Sequence, residues 1–179
     1  MTMRAMSATA TRPATRRNAR PSVLLAAALV AFLGLAVGPV AHPAPAQAST
    51  ATYMEGLIVK WVNHARANRG IKPLRVTTRL TNLAGDRSAT LAGSQSLAHP
   101  SCLSCVFRSY DIAFSRCGEN IAWTSYPWGY KAARSIYLGW KRSSTHWSIL
   151  MNRGYHRIGV GVTYRSGSQT TWAAAELAG

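Results

Sequence analysis

The C-terminal part of the chain reads as a β-hairpin, and that constrains everything before it. Ile158, Val160, Val162 and Tyr164 alternate with Gly159, Gly161 and Thr163, the period of a strand with one buried face. Arg165-Ser-Gly-Ser168 is a turn, and residues 169–177 return as a second strand. Three helical patterns come first. Residues 51–68 place Leu57, Ile58, Trp61, Val62 and Ala65 on one stripe, with His64 and Arg66 off it, and Gly70 and Pro73 close the helix. Residues 79–93 turn Leu80, Leu83, Ala84, Ala89 and Leu91 inward and leave Asp86 and Arg87 on the wetter side. Residues 130–141 bury Ala132, Ala133, Ile136, Tyr137 and Trp140. Residues 94–116 are a loop with a short helical turn, residues 117–123 a short strand, and residues 143–151 a short helical segment. Helices followed by closely spaced strands predict an α+β fold, with helices packed on a small antiparallel sheet.

The first 48 residues stand apart. Arg4, Arg12, Arg16, Arg17 and Arg20 precede an apolar run from Val23 to Val37, and Ala46 and Ala48 occupy the small-residue positions of a cleavage site. That is the pattern of a secretory signal peptide over residues 1–48, cut after Ala48. The run is about 15 residues, short of the roughly 20 that a spanning helix needs, so no transmembrane segment is expected after cleavage. Residues 49–179 then form one domain, expected to be a monomer. They keep 16 of the 21 Lys and Arg residues and all five acids, Glu55, Asp86, Asp111, Glu119 and Glu176. Such a basic exported protein is drawn to anionic cell-envelope polymers or lipids. Export argues against a nucleic-acid partner.

Three cysteines remain, Cys102, Cys105 and Cys117. Outside the cytosol they predict one disulfide and one odd thiol. The first expectation pairs Cys117 with Cys102 or Cys105; a Cys102–Cys105 bond is the other arrangement. His99 with the three cysteines also has the composition of a zinc site, against which export and oxidation weigh.

Candidate chemistry gathers on His99 in Ser-Leu-Ala-His-Pro, Glu119 in Cys-Gly-Glu-Asn-Ile-Ala-Trp, and His146 in Ser-Ser-Thr-His-Trp-Ser-Ile-Leu. Two imidazoles and a carboxylate can share a divalent metal such as zinc, with Glu119 as third ligand or as base for bound water. A structural role is the competing reading: Glu119 pairing with an arginine to lock its strand to a neighbouring loop, and His146 orienting its short helix. Of the aromatics around these motifs (Trp123, Tyr126, Trp128, Tyr130, Tyr137, Trp140 and Trp147), Trp128 in its Pro/Gly loop is the expected exposed ligand contact. No Gly-x-Ser-x-Gly elbow supports a serine nucleophile.

In order, these motifs resemble the CAP superfamily of cysteine-rich secretory, antigen 5 and pathogenesis-related 1 proteins, and most of all its small secreted bacterial members. The resemblance rests on Asn63-His-Ala-Arg-Ala-Asn68 with Gly70 and Pro73-Leu74, Leu80-Thr-Asn-Leu-Ala84, Ala98-His99, Gly118-Glu-Asn-Ile-Ala122, His146 with Ile149-Leu150, and Ile158-Gly-Val-Gly-Val162. It implies a three-layer α-β-α sandwich around a central antiparallel sheet, with His99, Glu119 and His146 lining one open cleft. Many members add a second acid, yet none lies between Asn120 and Leu150 here. That departure counts against an enzyme. The expectation is therefore a secreted, extracellular or envelope-associated binding module whose cleft takes a metal, lipid or glycan. The alternative is a metal-dependent hydrolase of envelope or peptide substrates, using His99, His146 and Glu119.

Overall fold

Two apolar surfaces, one on each side of a small sheet, set the layers. The computed structural model describes residues 45–179, with side chains from Ser49 onward. The proposed leader thus lies outside the described residues, except for the backbone of residues 45–48. Helix α1 (Pro45–Ala67) leads into strand β1 (Arg75–Val76) and helix α2 (Thr78–Ser94). Helix α3 (Leu103–Ser109), strand β2 (Cys117–Thr124) and helices α4 (Tyr130–Arg142) and α5 (Ser144–Leu150) follow. The chain ends in strands β3 (Arg157–Arg165) and β4 (Thr170–Ala178). No described helix is long and apolar enough to cross a membrane.

The strands run β1-β3-β4-β2 across one sheet. β4 pairs antiparallel with both β3 and β2, and β1 pairs parallel with β3. The fold is α+β as the motifs imply. The sheet gains only the two-residue β1, too short to show a period in sequence. On one face Met54, Ile58 and Val62 of α1 and Ile136 and Trp140 of α4 pack on Ile158, Val160, Ala175 and Leu177. On the other, Leu80 and Leu83 of α2 and Phe107 of α3 meet Ala178, while Leu91 of α2 meets Ile121, Trp172 and Ala174. Every residue of β4 after Thr170 is buried, so this strand forms the middle of the sandwich.

Strand β3 departs from the one-faced reading. Its glycine face is covered as well, because α2 lies directly on it. A Cβ at Gly159 would sit 2.0 Å from the Leu80 carbonyl carbon, and one at Gly161 would sit 2.2 Å from that of Ala84. The two glycines let helix backbone touch strand backbone, which sets the height of α2 above the sheet.

Arg66, placed off the stripe of α1 by its helical position, is fully buried. Its guanidinium donates to the carbonyl oxygens of Lys72, Leu150, Asn152 and Tyr155. These acceptors include the last residue of α5, where orphan carbonyls and the helix dipole favour a cation. Nearby, the Asn63 side chain donates to Leu74 O and accepts from Leu74 N at 3.0 and 2.8 Å. Asn63 and Arg66 thus hold the turn after α1 and the segment after α5 together.

The disulfide also corrects the first expectation. Cys102 is bonded to Cys105, and Cys117 keeps a free thiol. Cys102 is the N-cap of α3, and the first helical turn brings Cys105 back to a Cα–Cα distance of 5.3 Å. Cys117 instead packs, half-buried, against the small core around Phe107 and Ile112. The bond removes two of the thiols that a zinc site here would have needed.

Gly161→Ala should destabilise the protein by about 2–3 kcal/mol, because the new methyl group meets helix backbone and α2 must lift. Urea unfolding read at a tryptophan fluorescence signal checks this.

Candidate functional site

Each residue of Gly118-Glu-Asn120 performs one task at the start of edge strand β2. Gly118 leaves room for the Tyr155 hydroxyl, which would lie 2.5 Å from an added Cβ and donates to Cys117 O at 3.0 Å. Asn120 donates from Nδ2 to His146 O at 3.0 Å and so ties α5 to the strand. Glu119 points to the opposite face, toward α2.

The Glu119 side chain has no solvent exposure, and both its oxygens are engaged. Arg87 Nε donates to Oε2 at 2.7 Å and Nη2 reaches Oε1 at 3.3 Å. His99 Nδ1 lies 2.7 Å from Oε1. A carboxylate only accepts, so Nδ1 carries the proton and the lone pair of a neutral His99 resides on Nε2. Arg87 Nη2 also donates to Ala98 O at 2.9 Å. One guanidinium therefore clamps both the buried acid and the loop that carries His99. Pairing of Glu119 with an arginine that locks its strand to a loop is one of the readings drawn from sequence. The partner was hidden: Arg87 sits beside Asp86 on the helix face read as wetter, and only the glycine-faced approach of α2 turns it onto β2.

A second acid does join the site, from a part of the chain where the motifs gave no reason to look. Glu176 of β4 is the register partner of Glu119 and lies beside Gly159 of β3. It is fully buried. Neither of its oxygens meets a partner at ordinary hydrogen-bond length. Burial first, then the charge of Glu119 and a longer hydrogen-bonding contact with it, push the Glu176 pKa from 4.5 up to about 9, against the pull of Arg87. At neutral pH Glu176 is thus a neutral acid beside Glu119, held in a space with one fixed cation.

His146 occupies the other side of β2. Its Nδ1 is 2.8 Å from Ser143 Oγ, the N-cap residue of its own helix. Partial burial, and then the charge of His99, lower its pKa from 6.5. His99 is open to solvent, with 57% of its side chain exposed, whereas His146 is half-buried. Among the described residues no three His, Cys, Asp or Glu side chains form a group ready to hold a metal ion. Glu119 stands behind His99 as the carboxylate that fixes its tautomer.

Trp128, the contact residue expected to be exposed, is half-buried against the core, its ring 5.6 Å from that of Tyr164. Of the aromatics around the motifs, Trp123, Tyr126 and Tyr130 are left in solvent. Trp123 is stacked on the buried Trp172 at 5.8 Å and still 49% exposed.

Residues 59–175, nearly two thirds of the chain, match the cysteine-rich secretory protein family, CAP. The chain belongs to this family. Among curated proteins it is similar to the uncharacterized protein YkwD of Bacillus subtilis (strain 168), 28% identical over 117 residues, which cover 63% of this chain and 44% of the relative. Solved structures share the fold at lower identity. An extracellular protein containing a SCP domain from Bacillus anthracis str. Ames superposes with a TM-score of 0.65 at 17% identity, over 77% of this chain and 44% of that one. An outer surface protein of Borrelia burgdorferi gives 0.62 at 15%, over 70% and 92%. The chain thus spans less than half the length of both Bacillus proteins. In this CAP domain a second, buried acid comes from β4, directly across the strand pair from Glu119.

Two outcomes follow from the buried charges. Arg87→Ala should cost about 3–5 kcal/mol in chemical unfolding, because it strips Glu119 of its counter-ion inside the fold. Glu176 is a group whose folded pKa is raised. Its contribution is fully present below pH 4.5 and is lost as pH rises through about 9. Glu176→Gln, which mimics the protonated acid, should flatten that decline and be more stable than wild type at the alkaline end, measured as unfolding free energy across that range.

Proposed function

We propose that the protein is a secreted CAP binding module acting at the cell envelope, with residues 1–48 as its leader and residues 49–179 as the exported, monomeric domain. One observation carries this reading: Glu119 has no spare oxygen. A general base must be able to reach a water or substrate proton, and this carboxylate is solvent-inaccessible and held by Arg87 and His99. It works as scaffold, and the face it presents outward is the exposed His99 imidazole. Among relatives of this fold, one is described as extracellular and one as an outer surface protein, which supports an exported destination. The excess of cations over acids supports attraction to anionic polymers or lipids of the envelope.

In this reading a divalent metal such as zinc would be held by His99 and His146, with the His99 tautomer set by Glu119. Bound there, it would supply a Lewis acid with open positions. This keeps a metal-dependent hydrolase as the second reading, with Glu119 as an orienting group instead of a base.

Sedimentation with isolated cell envelopes tests the first reading. The full chain should pellet with envelopes at low salt and be released at high salt, and Glu119→Gln should pellet equally while melting at a lower temperature. Turnover of an envelope or peptide substrate that Glu119→Gln abolishes with an unchanged melting temperature would overturn it. Zinc titration of wild type, His99→Ala and His146→Ala reads the metal site separately.

A further inference from the structure

The cations of this protein divide into two groups. Most of the described arginines are used internally. Arg66, Arg69, Arg79, Arg153, Arg157 and Arg165 donate to backbone carbonyls, Arg116 to a side-chain amide, and Arg87 to Glu119. Arg108 lies over the Phe114 ring. Among the described residues the cations with no internal partner are Lys60, Lys72, Arg75 and a set on one helix: Lys131, Arg134, Lys141 and Arg142 of α4. No acid occurs anywhere from Asn120 to Ala175 to neutralise that set.

Three of these α4 cations line a groove. Lys131, Arg134 and Arg142 stand beside Ser135, Leu138 and Tyr126 around a cavity of about 400 Å³. Lys131, Arg134, Arg142 and Tyr126 are exposed, and Ser135 and Leu138 are half-buried beneath them. Ser135 Oγ is already committed to Thr124 at 3.1 Å, which joins the groove floor to the end of β2. At 1.5 Å of rise per residue the three cations stand about 4.5 and 12 Å apart along the helix. That spacing is too long for one phosphate and suits a ligand with repeated charges. The Tyr126 ring at the wall offers an apolar face of the kind that sugar rings cover. Lys141 and Arg142 also complement the C-terminal dipole of α4, but that accounts for neither Lys131 nor Arg134.

We propose that the α4 groove binds an anionic glycan, a polymer with a negative group on each sugar repeat, through Lys131, Arg134 and Arg142, with Tyr126 against a sugar ring. This rests on the envelope-binding reading and names its partner class. It also places the contact on α4, on a surface separate from the His99 and Glu119 cluster.

The test uses the full chain against polygalacturonate and dextran phosphate as carboxylate and phosphate glycans, with neutral dextran and inorganic polyphosphate as controls. Lys131→Ala/Arg134→Ala/Arg142→Ala should weaken both charged glycans at least about tenfold near physiological ionic strength. Lys60→Ala/Lys72→Ala/Arg75→Ala removes the same charge from partnerless cations elsewhere and should change affinity by less than about threefold. Both variants should keep the wild-type circular dichroism spectrum, and the single charge reversal Arg134→Glu should repeat the loss. Tyr126→Ala should weaken the glycans and leave polyphosphate binding unchanged. The stronger of the two charged glycans identifies the anion. Equal losses from the two triple variants would show net charge alone and overturn the groove, as would neutral dextran binding as tightly as the charged glycans. Equal dependence of polyphosphate on Tyr126 would overturn the sugar contact. If the wild type sediments with envelopes but the groove variant does so equally, the groove assignment alone fails. If the wild type binds neither envelopes nor glycans, the envelope reading fails with it.

Discussion

A carboxylate with no contact to water must find its counter-charge inside the fold, and Glu119 imposes that demand on its surroundings. The demand is met by Arg87, which reaches the acid only because α2 sits on the glycine face of β3. The same guanidinium holds Ala98 O, so the loop with His99 is positioned by the group that neutralises Glu119. Helix height, strand, loop and imidazole tautomer thus form one connected arrangement. It tolerates Glu176 because that second acid stays protonated beside the first. Buried charge of this kind adds little net stability over an apolar replacement, yet breaking it is costly, which suits a device that orients a surface histidine.

The basic character of the chain has a second consequence. With so few acids, cations must be absorbed by other means, and backbone carbonyls take most of the described arginines. Arg66 shows the extreme: four carbonyl acceptors hold a fully buried guanidinium with no acid at all. Once the structural cations are set aside, the remaining charge is concentrated on α4, far more narrowly than the net charge suggests.

Much of this was legible before any coordinates. The apolar stripes on α1, α2 and α4 and the alternation in β3 reproduce the period of each element, so helices and hairpin follow from local pattern. The motif order identified the family and singled out His99 and Glu119, which the structure joins directly. Legibility ended where a property depends on what covers a residue. Arg66 and Arg87 looked like surface residues because their helical positions lie off the apolar stripe. Trp128 looked exposed because its loop is rich in turn residues. Cys117 looked like a disulfide partner because export predicts one bond among three cysteines and periodicity does not choose between them, whereas a single helical turn joins Cys102 to Cys105.

The sequence by itself determined the element types, the order of the motifs, the excess of positive charge and the residue types available for chemistry, since these depend on periodicity and composition along the chain. Only the tertiary structure decided which arginine neutralises Glu119, that Glu176 lies beside it, and which cations remain for a partner. The reason is physical: a charge or hydrogen bond is settled by neighbours a few ångströms away in space, here residues 32 and 57 positions distant in the chain, and no local pattern records them.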